Sequence, residues 1–418
     1  MPRSEPIKAV RGVRDILPSE RPLWRAAERS AAEVAERFGY EEIVTPILEH
    51  AELIERAGED TDAFGKELYS FVDRGDRRIA LRPDATAGVV RAYFERGLNQ
   101  GPQPSRLYLI GPMFRYDRPQ KGRYRQFFQL DVEAIGSASP ALDAEVIEIA
   151  REWFNQIELG DLRLELNSIG DSKCRPAYLE KLKAYYKPLK DKLSHESQMR
   201  LERNPLRLLD SKVPQEMALK ARAPKITDHL CHDCAEHWSS VRRLLDAAEI
   251  EYQLNPYLVR GLDYYTRTVF ELFPAGQSGQ QDAVGGGGRY DGLAEAEGWP
   301  ATPAVGFASG LDRVTDLMEA EKVRVASRAA ADVLVLPDGD LVVEAAEVAR
   351  IIRAVRSVAV DYESKSLRTK MKQASKAGAK WVVILTPEDA KRHVARLRDT
   401  SSLEQEGLDW AELPTRLA

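Results

Sequence analysis

The chain has 418 residues, of which 43% are hydrophobic and 30% are charged, and its formal net charge at pH 7 is −5. This length exceeds what one hydrophobic core supports and is typical of two or three domains. No apolar run reaches the roughly 18 residues that a membrane span needs, and three cysteines are too few for a disulfide framework. We therefore expect a cytoplasmic protein without a membrane partner, whose contacts with nucleic acid depend on local basic patches.

The first predicted elements are a helix and an interrupted strand. Apolar residues recur every three or four positions from Leu23 to Phe38, which is the spacing of one helix face. Gly39 is placed to end this helix. Residues 40–49 have a strand pattern that Pro46 interrupts. Because proline lacks a backbone donor, we expect this strand at a sheet edge or at an interface.

A basic hairpin is predicted next, after a strand pair and a helix that runs to about residue 95. Residues 114–126 contain five cations, one acid and a Pro–Gly break, between apolar runs that have the pattern of strands. Arginine binds phosphate oxygens bidentately and stays charged. A solvated basic loop is the alternative. The arginines lie on the strands as well as on the loop, so Arg115 and Arg123 should point into a site, and we favour a nucleotide site.

Residues 171–250 differ from the rest in being rich in Lys, Glu and Leu and helical in pattern, which predicts an inserted helical module. Strand patterns resume at residues 251–254 and 268–273. After a polar, Ala-rich linker at 321–330, strands alternate with helices. This alternation predicts a small parallel or mixed α/β domain of about ninety residues.

The last domain carries a run of cations. Six fall within sixteen residues that contain no acid, and on a helix they would cover most of its exposed face. Such a face is a candidate nucleic-acid footprint, and a merely solvated helix is the alternative. The six are Lys365, Arg368, Lys370, Lys372, Lys376 and Lys380.

A Cys-x-x-Cys pair in the inserted module raises the possibility of a metal. Cys231, Cys234 and His237 have the local spacing of a zinc site, with a fourth ligand such as His229. A second matching pair is missing, since the third cysteine is Cys174. Ordinary buried thiols at the start of a helix are the favoured interpretation.

Three further segments are candidates for an anion site that is neither a P-loop nor a Gly-x-Gly-x-x-Gly turn. The glycines at 285–288 follow a strand-like stretch and form either one wall of a pocket or a flexible loop. Arg260 stands near Tyr264 and Tyr265. Arg313 begins a helix, where free amides already attract anions.

Taken together, these segments resemble the histidyl-tRNA synthetase family of class II aminoacyl-tRNA synthetases over nearly the whole chain. The resemblance implies an α+β fold: an antiparallel sheet with flanking helices, an inserted helical domain, and a C-terminal α/β anticodon-binding domain. Its domains would be residues 1–170 with 251–322, 171–250, and 330–418. The segments that carry the resemblance are residues 40–46, 81–86, 114–133, 260–265, 286–292 and 306–313.

The resemblance also implies the activity and its partners. Histidine would be activated with ATP to histidyl-adenylate and then transferred to the 3′ end of its tRNA by a homodimer, with ATP and Mg²⁺ as substrate and no tightly bound cofactor. Arg115 and Arg260 would hold the α-phosphate as the catalytic cations. Arg123 and Arg313 would hold the outer phosphates, and Glu133 would help to fix ATP or its magnesium.

Histidine recognition is implied for a second set of residues. The amino group would be bound by a carboxylate, a hydroxyl and an amide, and the imidazole by tyrosines and Glu133. Asp84 stands where many family members carry Glu, and Asp131 where many carry Gly. The implied histidine-binding residues are Asp84, Thr86, Gln129, Glu133, Tyr264, Tyr265 and Tyr290.

Contacts with tRNA are implied at two places. Arg118 and Gln120, on the basic hairpin, would face the acceptor end, and Lys365, Arg368 and Lys372 would contact the anticodon side. The competing interpretation is a paralogue that regulates an ATP phosphoribosyltransferase without being a synthetase. Such paralogues tend to lose catalytic arginines and the anticodon domain, both of which this chain keeps.

Overall fold

The computed structural model describes residues 6–58, 67–118, 122–260, 264–275, 283–325 and 331–418. The chain forms two compact units, residues 1–324 and 325–418, and the division falls inside the predicted linker. Within the described ranges, no helix is both long enough and apolar enough to span a bilayer.

The first unit is built on a large sheet and a small one. The large sheet has eight strands in the order β1-β5-β6-β11-β10-β9-β7-β8, and the small sheet has the order β2-β4-β3. The strands are β1 (Glu41–Glu42), β2 (Leu48–His50), β3 (Tyr69–Val72), β4 (Arg78–Leu81), β5 (Ser105–Phe114), β6 (Gln126–Ile135), β7 (Leu162–Ser168), β8 (Gln253–Leu254), β9 (Thr266–Pro274), β10 (Gly285–Arg289) and β11 (Ala304–Gly310).

The six central strands of the large sheet are antiparallel, as the family resemblance implied. The two-residue strands at its edges, β1 and β8, pair in parallel with β5 and β7. The sheet as a whole is therefore mixed. Pro46 lies between β1 and β2, each the edge strand of its sheet, which agrees with its expected place.

Helices flank the large sheet and fill the insertion. The first, α1, confirms the predicted amphipathic helix: Trp24, Ala27 and Val34 are buried, and Gly39 follows in the left-handed conformation. The helices of this unit are α1 (Arg21–Arg37), α2 (Ala51–Ala57), α3 (Thr86–Glu95), α4 (Pro140–Gln156), α5 (Arg175–Tyr186), α6 (His195–Arg203), α7 (Pro214–Lys220), α8 (His232–Ala247), α9 (Leu293–Ala296) and α10 (Leu311–Ala320).

The inserted helices α5 to α7 contribute to a core that also contains residues outside the insertion. Tyr178, Leu182 and Tyr186 of α5 belong to a buried cluster that also contains Tyr265 and Val269. The insertion therefore packs directly behind the segment that leads into β9.

The glycine run is a buried strand, β10, and the flexible-loop alternative is wrong. A Cβ added to Gly287 would lie 2.0 Å from the carbonyl oxygen of Gly306, and one added to Gly286 would lie 2.9 Å from the Arg260 guanidinium. Glycine is needed here because neighbouring backbone and an arginine come too close for any side chain.

The second unit contains a five-stranded mixed sheet, in agreement with the sequence prediction. Its order is β13-β12-β14-β15-β16; the first three strands are parallel, and β14, β15 and β16 are antiparallel. The elements are β12 (Val333–Pro337), α11 (Val342–Ile352), β13 (Val358–Val360), α12 (Leu367–Ala377), β14 (Trp381–Leu385), α13 (Pro387–Lys391), β15 (Val394–Asp399), β16 (Gln405–Asp409) and α14 (Leu413–Leu417).

One of the six cations expected on the exposed face of α12 points inward. Lys370 is buried, and its Nζ donates to the carbonyl oxygens of Pro337 and Asp361 at 2.9 and 3.1 Å. Counting it in the exposed face was wrong, because the charge run alone does not show which side of the helix a lysine occupies. Lys365, Arg368 and the other three remain exposed.

Candidate active site

A cavity of about 280 Å³ opens where the ends of β6, β10 and β11 meet the start of α10. Four arginines line it: Arg115, Arg123, Arg260 and Arg313. They come from the basic hairpin, the approach to β9, and α10, so distant segments supply one cationic surface. The sequence singled out each of the four, and the fold brings them together.

Backbone carbonyls and one carboxylate hold three of these arginines. Arg115 donates from Nε to the Pro83 carbonyl at 2.9 Å. Arg123 pairs with Asp117 at 3.0 Å. Arg313 donates from Nη1 to the Ala283 carbonyl at 2.7 Å. Each head group is thus positioned in the cavity wall by contacts with the surrounding chain.

Arg260 pairs with a buried acid. It forms an ion pair with Glu271 of β9, and its guanidinium lies 5.9 Å from the centroid of the Tyr265 ring. Burial alone would lower the pKa of this guanidinium, but the adjacent Glu271 carboxylate raises it above its ordinary value. Arg260 is therefore a permanent cation in a mostly dry position, where its field is weakly screened.

Glu133 lies outside this cavity, in an acidic pocket beside it. Its Oε1 accepts from the Thr86 hydroxyl at 2.7 Å, and its Oε2 accepts from the Tyr290 hydroxyl at 2.5 Å. Burial raises the pKa of Glu133 to about 8, although both hydroxyl groups act to lower it. The group is therefore largely protonated at neutral pH.

Gly306 makes the position of Glu133 possible. The two residues lie directly opposite each other on β11 and β6. A Cβ on Gly306 would lie 1.8 Å from Glu133 Oε2. The carboxyl group therefore occupies the space that any other residue at 306 would need.

Two more buried acids and an amide surround Glu133. Burial raises the pKa of Asp84 to about 6, partly offset by Arg115, and raises that of Asp131 well above its ordinary range. Both Asp131 oxygens and Oε1 of Gln129 have no hydrogen-bond partner among the described residues. Buried polar atoms normally have partners, so these atoms indicate a pocket shaped for a polar ligand.

Three tyrosines complete this acidic pocket. The ring centroid of Tyr264 lies 5.9 Å from that of Tyr290 and 5.0 Å from that of Tyr265. Tyr265 and Tyr290 are buried. An aromatic wall with carboxyl groups beneath it suits a small ligand that carries an amino group and a polar ring.

Two contacts of the site were missed in the sequence. Glu271, the partner of Arg260, lies within a predicted strand, and nothing in the neighbouring sequence marks it as a site residue. Asp312 accepts from the Phe128 amide at 3.0 Å and from Arg14 Nη2 at 3.2 Å, which links the N-terminal segment to the hairpin. Its position next to Arg313 was the available signal.

The other predicted site residues lie elsewhere. Arg118 is exposed on the hairpin, and Gln120 falls outside the described residues. Lys365, Arg368 and Lys372 belong to the second unit. His237 is not part of the group of possible metal ligands that contains Cys231 and Cys234, because its Nε2 lies 3.0 Å from Asp143 on α4.

Two family models match the chain. The one described as Histidyl-tRNA synthetase matches residues 12–314, and the one described as Anticodon binding domain matches residues 332–418. The first range contains every residue of the cavity and of the acidic pocket described above.

Curated relatives and solved structures agree with these matches. The histidine–tRNA ligase of Moorella thermoacetica is 46% identical over 96% of this chain and 95% of its own length. That of Desulforamulus reducens is 45% identical over 96% and 97%. The crystal structure of apo S. aureus histidyl-tRNA synthetase, 33% identical, has a TM-score of 0.82 and covers 98% of this chain and 99% of that one.

The Gly306–Glu133 contact generates a stability prediction. Gly306→Ala forces the Glu133 carboxyl out of place, and overpacking of this kind costs about 1–3 kcal/mol. We expect a lower midpoint of thermal or urea unfolding. Gly310→Ala is the matched control, because a Cβ at that position on the same strand meets nothing within 4 Å. Equal unfolding midpoints for the two variants would contradict the steric argument.

Proposed function

This chain belongs to the histidyl-tRNA synthetase family, and from that membership we propose how its residues perform histidine–tRNA ligation. The observation that carries the proposal is the pairing of a cationic cavity with an acidic, aromatic pocket next to it. One suits the phosphates of ATP and the other suits histidine. The activity has two steps, adenylate formation and transfer to tRNA.

In the first step, a carboxylate oxygen of histidine attacks the α-phosphorus of ATP, and pyrophosphate leaves. Negative charge accumulates at the α-phosphate, so fixed cations are the main requirement. We assign Arg115 and Arg260 to this phosphate from their places in the family's motifs, and both residues line the cavity. Arg123 and Arg313 bind the outer phosphates, with Mg²⁺ arriving as the counter-ion of ATP.

Arg260 is the principal stabiliser of the transition state in this scheme. Its ion pair with Glu271 fixes the guanidinium before substrate arrives, so little reorganisation is needed as charge develops. Its enclosure reduces screening by water. Glu271 acts through Arg260 and is a positioning residue.

Histidine occupies the acidic pocket. Asp84, Gln129 and Thr86 bind the amino group, and Glu133 accepts a hydrogen bond from the imidazole, with Tyr264, Tyr265 and Tyr290 around the ring. An apolar isostere would leave these buried polar groups without partners, which is a strong basis for rejection. Glu133 takes the histidine role rather than an ATP role, because its carboxyl group is directed into this pocket and not into the phosphate cavity.

In the second step, the 3′-terminal ribose hydroxyl of tRNA attacks the acyl carbon and AMP leaves. Arg118, which is exposed on the hairpin, contacts the acceptor end. We assign the same role to Gln120 from its place in the family's motif. The exposed Lys365, Arg368 and Lys372 contact the anticodon side, in the unit that matches an anticodon-binding domain. Cations on a protein of net negative charge restrict RNA binding to this local surface.

Two sets of variants separate the two steps. Arg260→Ala should lower histidine-dependent ATP–pyrophosphate exchange by about 10²–10³-fold, the loss typical of one removed charge stabiliser, while histidine affinity stays nearly unchanged. Arg260→Ala leaves the Glu271 carboxylate without its ion-pair partner, and the double variant Arg260→Ala/Glu271→Gln controls for that unpaired charge. Replacement of Lys365, Arg368 and Lys372 by Ala should leave exchange intact and raise the KM for tRNA.

The assignments fail in recognisable ways. Loss of histidine binding in the Arg260 variants would make that residue a substrate-positioning group. An unchanged KM for tRNA in the triple variant would remove the second unit's cations from the interface. Absence of exchange in the folded wild-type protein with magnesium present would contradict the enzyme assignment itself.

A homodimer is proposed from an exposed apolar patch. Five exposed apolar side chains lie on the segments around Pro46 and on the small sheet, and exposed apolar surface is a feature of interfaces. The edge position of β1 and β2 leaves backbone groups available for a partner. The residues of the patch are Val44, Ile47, Leu48, Phe71 and Val72.

Val44, which is 82% exposed, offers a test of the dimer. Val44→Glu places a charge in the proposed contact, so sedimentation equilibrium should show a shift from dimer to monomer. Val343→Glu, at a position 76% exposed in the second unit, should remain dimeric. If both variants sediment like the wild type, the interface lies elsewhere.

The regulatory paralogue is less well supported than the synthetase. Curated relatives named histidine–tRNA ligase are about 45% identical over nearly the full length, the four arginines are present, and an anticodon-binding unit follows. We also place the reaction in the cytoplasm, because the three cysteines are free thiols and a reducing compartment keeps them so.

A further inference from the structure

All three cysteines of the chain meet at one point, although two distant segments supply them. Cys174 stands at the start of α5, and Cys231 and Cys234 stand at the start of α8. Their sulfur atoms and a carboxylate oxygen of Asp171 all lie within 4.8 Å of one another. Cys174 and Cys234 are buried and the other two are half-buried. The proposed function uses none of these four side chains.

The distances suit one tetrahedral ion. Oδ1 of Asp171 lies 3.5 Å from Cys174 Sγ and 4.0 Å from Cys231 Sγ. A zinc ion bonded at about 2.3 Å to sulfur and about 2.0–2.2 Å to oxygen holds tetrahedral ligand atoms roughly 3.5–3.8 Å apart. Only small side-chain adjustments are therefore needed for all four atoms to bind the same ion.

We propose that Asp171, Cys174, Cys231 and Cys234 form a structural zinc site. Three thiolates select a soft or borderline metal such as zinc over magnesium or calcium. Four protein ligands leave no open position, which is the pattern of a structural and not a catalytic ion. The ligands form two pairs of identical spacing, Asp-x-x-Cys and Cys-x-x-Cys, each at the start of a helix.

The sequence pattern indicates only half of this site, the Cys-x-x-Cys pair. The neighbouring histidines, which are the nearest candidate partners in the sequence, do not complete it. His237 turns away to Asp143, and Nδ1 of His229 lies 3.3 Å from Lys181 Nζ. The second pair includes an aspartate in place of a cysteine, so a search for cysteines alone misses it.

Positively charged side chains lie next to the four proposed ligands. Three thiolates and a carboxylate outweigh the two positive charges of zinc, and Arg267 Nη2 lies 3.6 Å from Oδ2 of Asp171. Lys173 lies within the first pair and binds Asp233 of the second at 3.0 Å. Gly170 leaves room for the first pair, because a Cβ there would lie 2.7 Å from Cys174 Sγ.

The site would join both ends of the insertion to the histidine pocket. The Ile169 amide donates to the carbonyl oxygen of Arg267, and the Arg267 amide donates to that of Gly170, each at 2.7 Å. Arg175, next to Cys174, donates to the Tyr265 carbonyl at 2.6 Å. Zinc would thus fix the insertion against the segment that carries Tyr265, so its loss should loosen histidine binding as well as the insertion.

The first test is metal content. The full-length protein, purified under reducing conditions without chelator from cells supplied with zinc, should contain about one zinc ion per chain by mass spectrometry. Cys174→Ser/Cys231→Ser should contain less than about one tenth of that, since two ligands are lost. His232→Ala is the matched control, because its side chain is 89% exposed and adjacent to Cys231; it should keep its zinc.

The second test identifies the thiolate ligands in the wild-type protein, so it does not depend on whether a variant folds. Cobalt exchanged into the wild-type protein should give a thiolate-to-cobalt charge-transfer band and intense tetrahedral d–d bands. Added zinc should protect all three thiols from a thiol-reactive chromophore, and a strong chelator should expose them. Protein without zinc, whose three thiols react equally with and without added zinc, would overturn the proposal. Zinc retained by the double variant would place the ion elsewhere.

Discussion

A carboxyl group buried beneath the substrate pocket is the constraint on which the catalytic unit depends. Glu133 is held by the hydroxyl groups of Thr86 and Tyr290, and Gly306 across the sheet leaves the space that it fills. Because burial of a charged carboxylate costs free energy, the pKa of Glu133 rises to about 8, and the neutral form predominates below that pH. The antiparallel register of β6 and β11 is what keeps these parts in place.

The site separates its charges into an acidic pocket and an arginine-lined cavity. Under the proposed function, the acids surround the side chain and amino group of histidine, and the arginines surround the phosphates of ATP. Arg115 stands at the border: it lines the cavity, and it partly offsets the rise that burial causes in the pKa of Asp84. In the proposed complex, the carboxylate of histidine lies between these two regions and is directed toward the α-phosphate. Charge placement therefore orients the substrate before any bond forms.

Much of this arrangement could be predicted from the sequence, for identifiable reasons. The periodicity of α1 and the position of Pro46 are local signals, and local propensity agrees with the fold there. The four arginines stood in segments of distinctive composition. Pairings between distant segments were not accessible: nothing local marks Glu271 as the partner of Arg260, or Asp171 as a neighbour of Cys231. The inward turn of Lys370 likewise follows from tertiary packing and not from charge pattern.

In the proposed mechanism, Glu133 must lose its proton to bind the imidazole of histidine. The most direct measurement is histidine affinity by calorimetry between about pH 6 and 9, in wild type and in Glu133→Gln, because the ratio cancels the ligand's own titration. At pH values below the Glu133 pKa of about 8, the free-energy cost of removing its proton weakens histidine binding. The ratio of wild-type to variant affinity should therefore rise with pH by up to about tenfold per unit and level off above pH 8. Parallel pH profiles for the two proteins would contradict the claim.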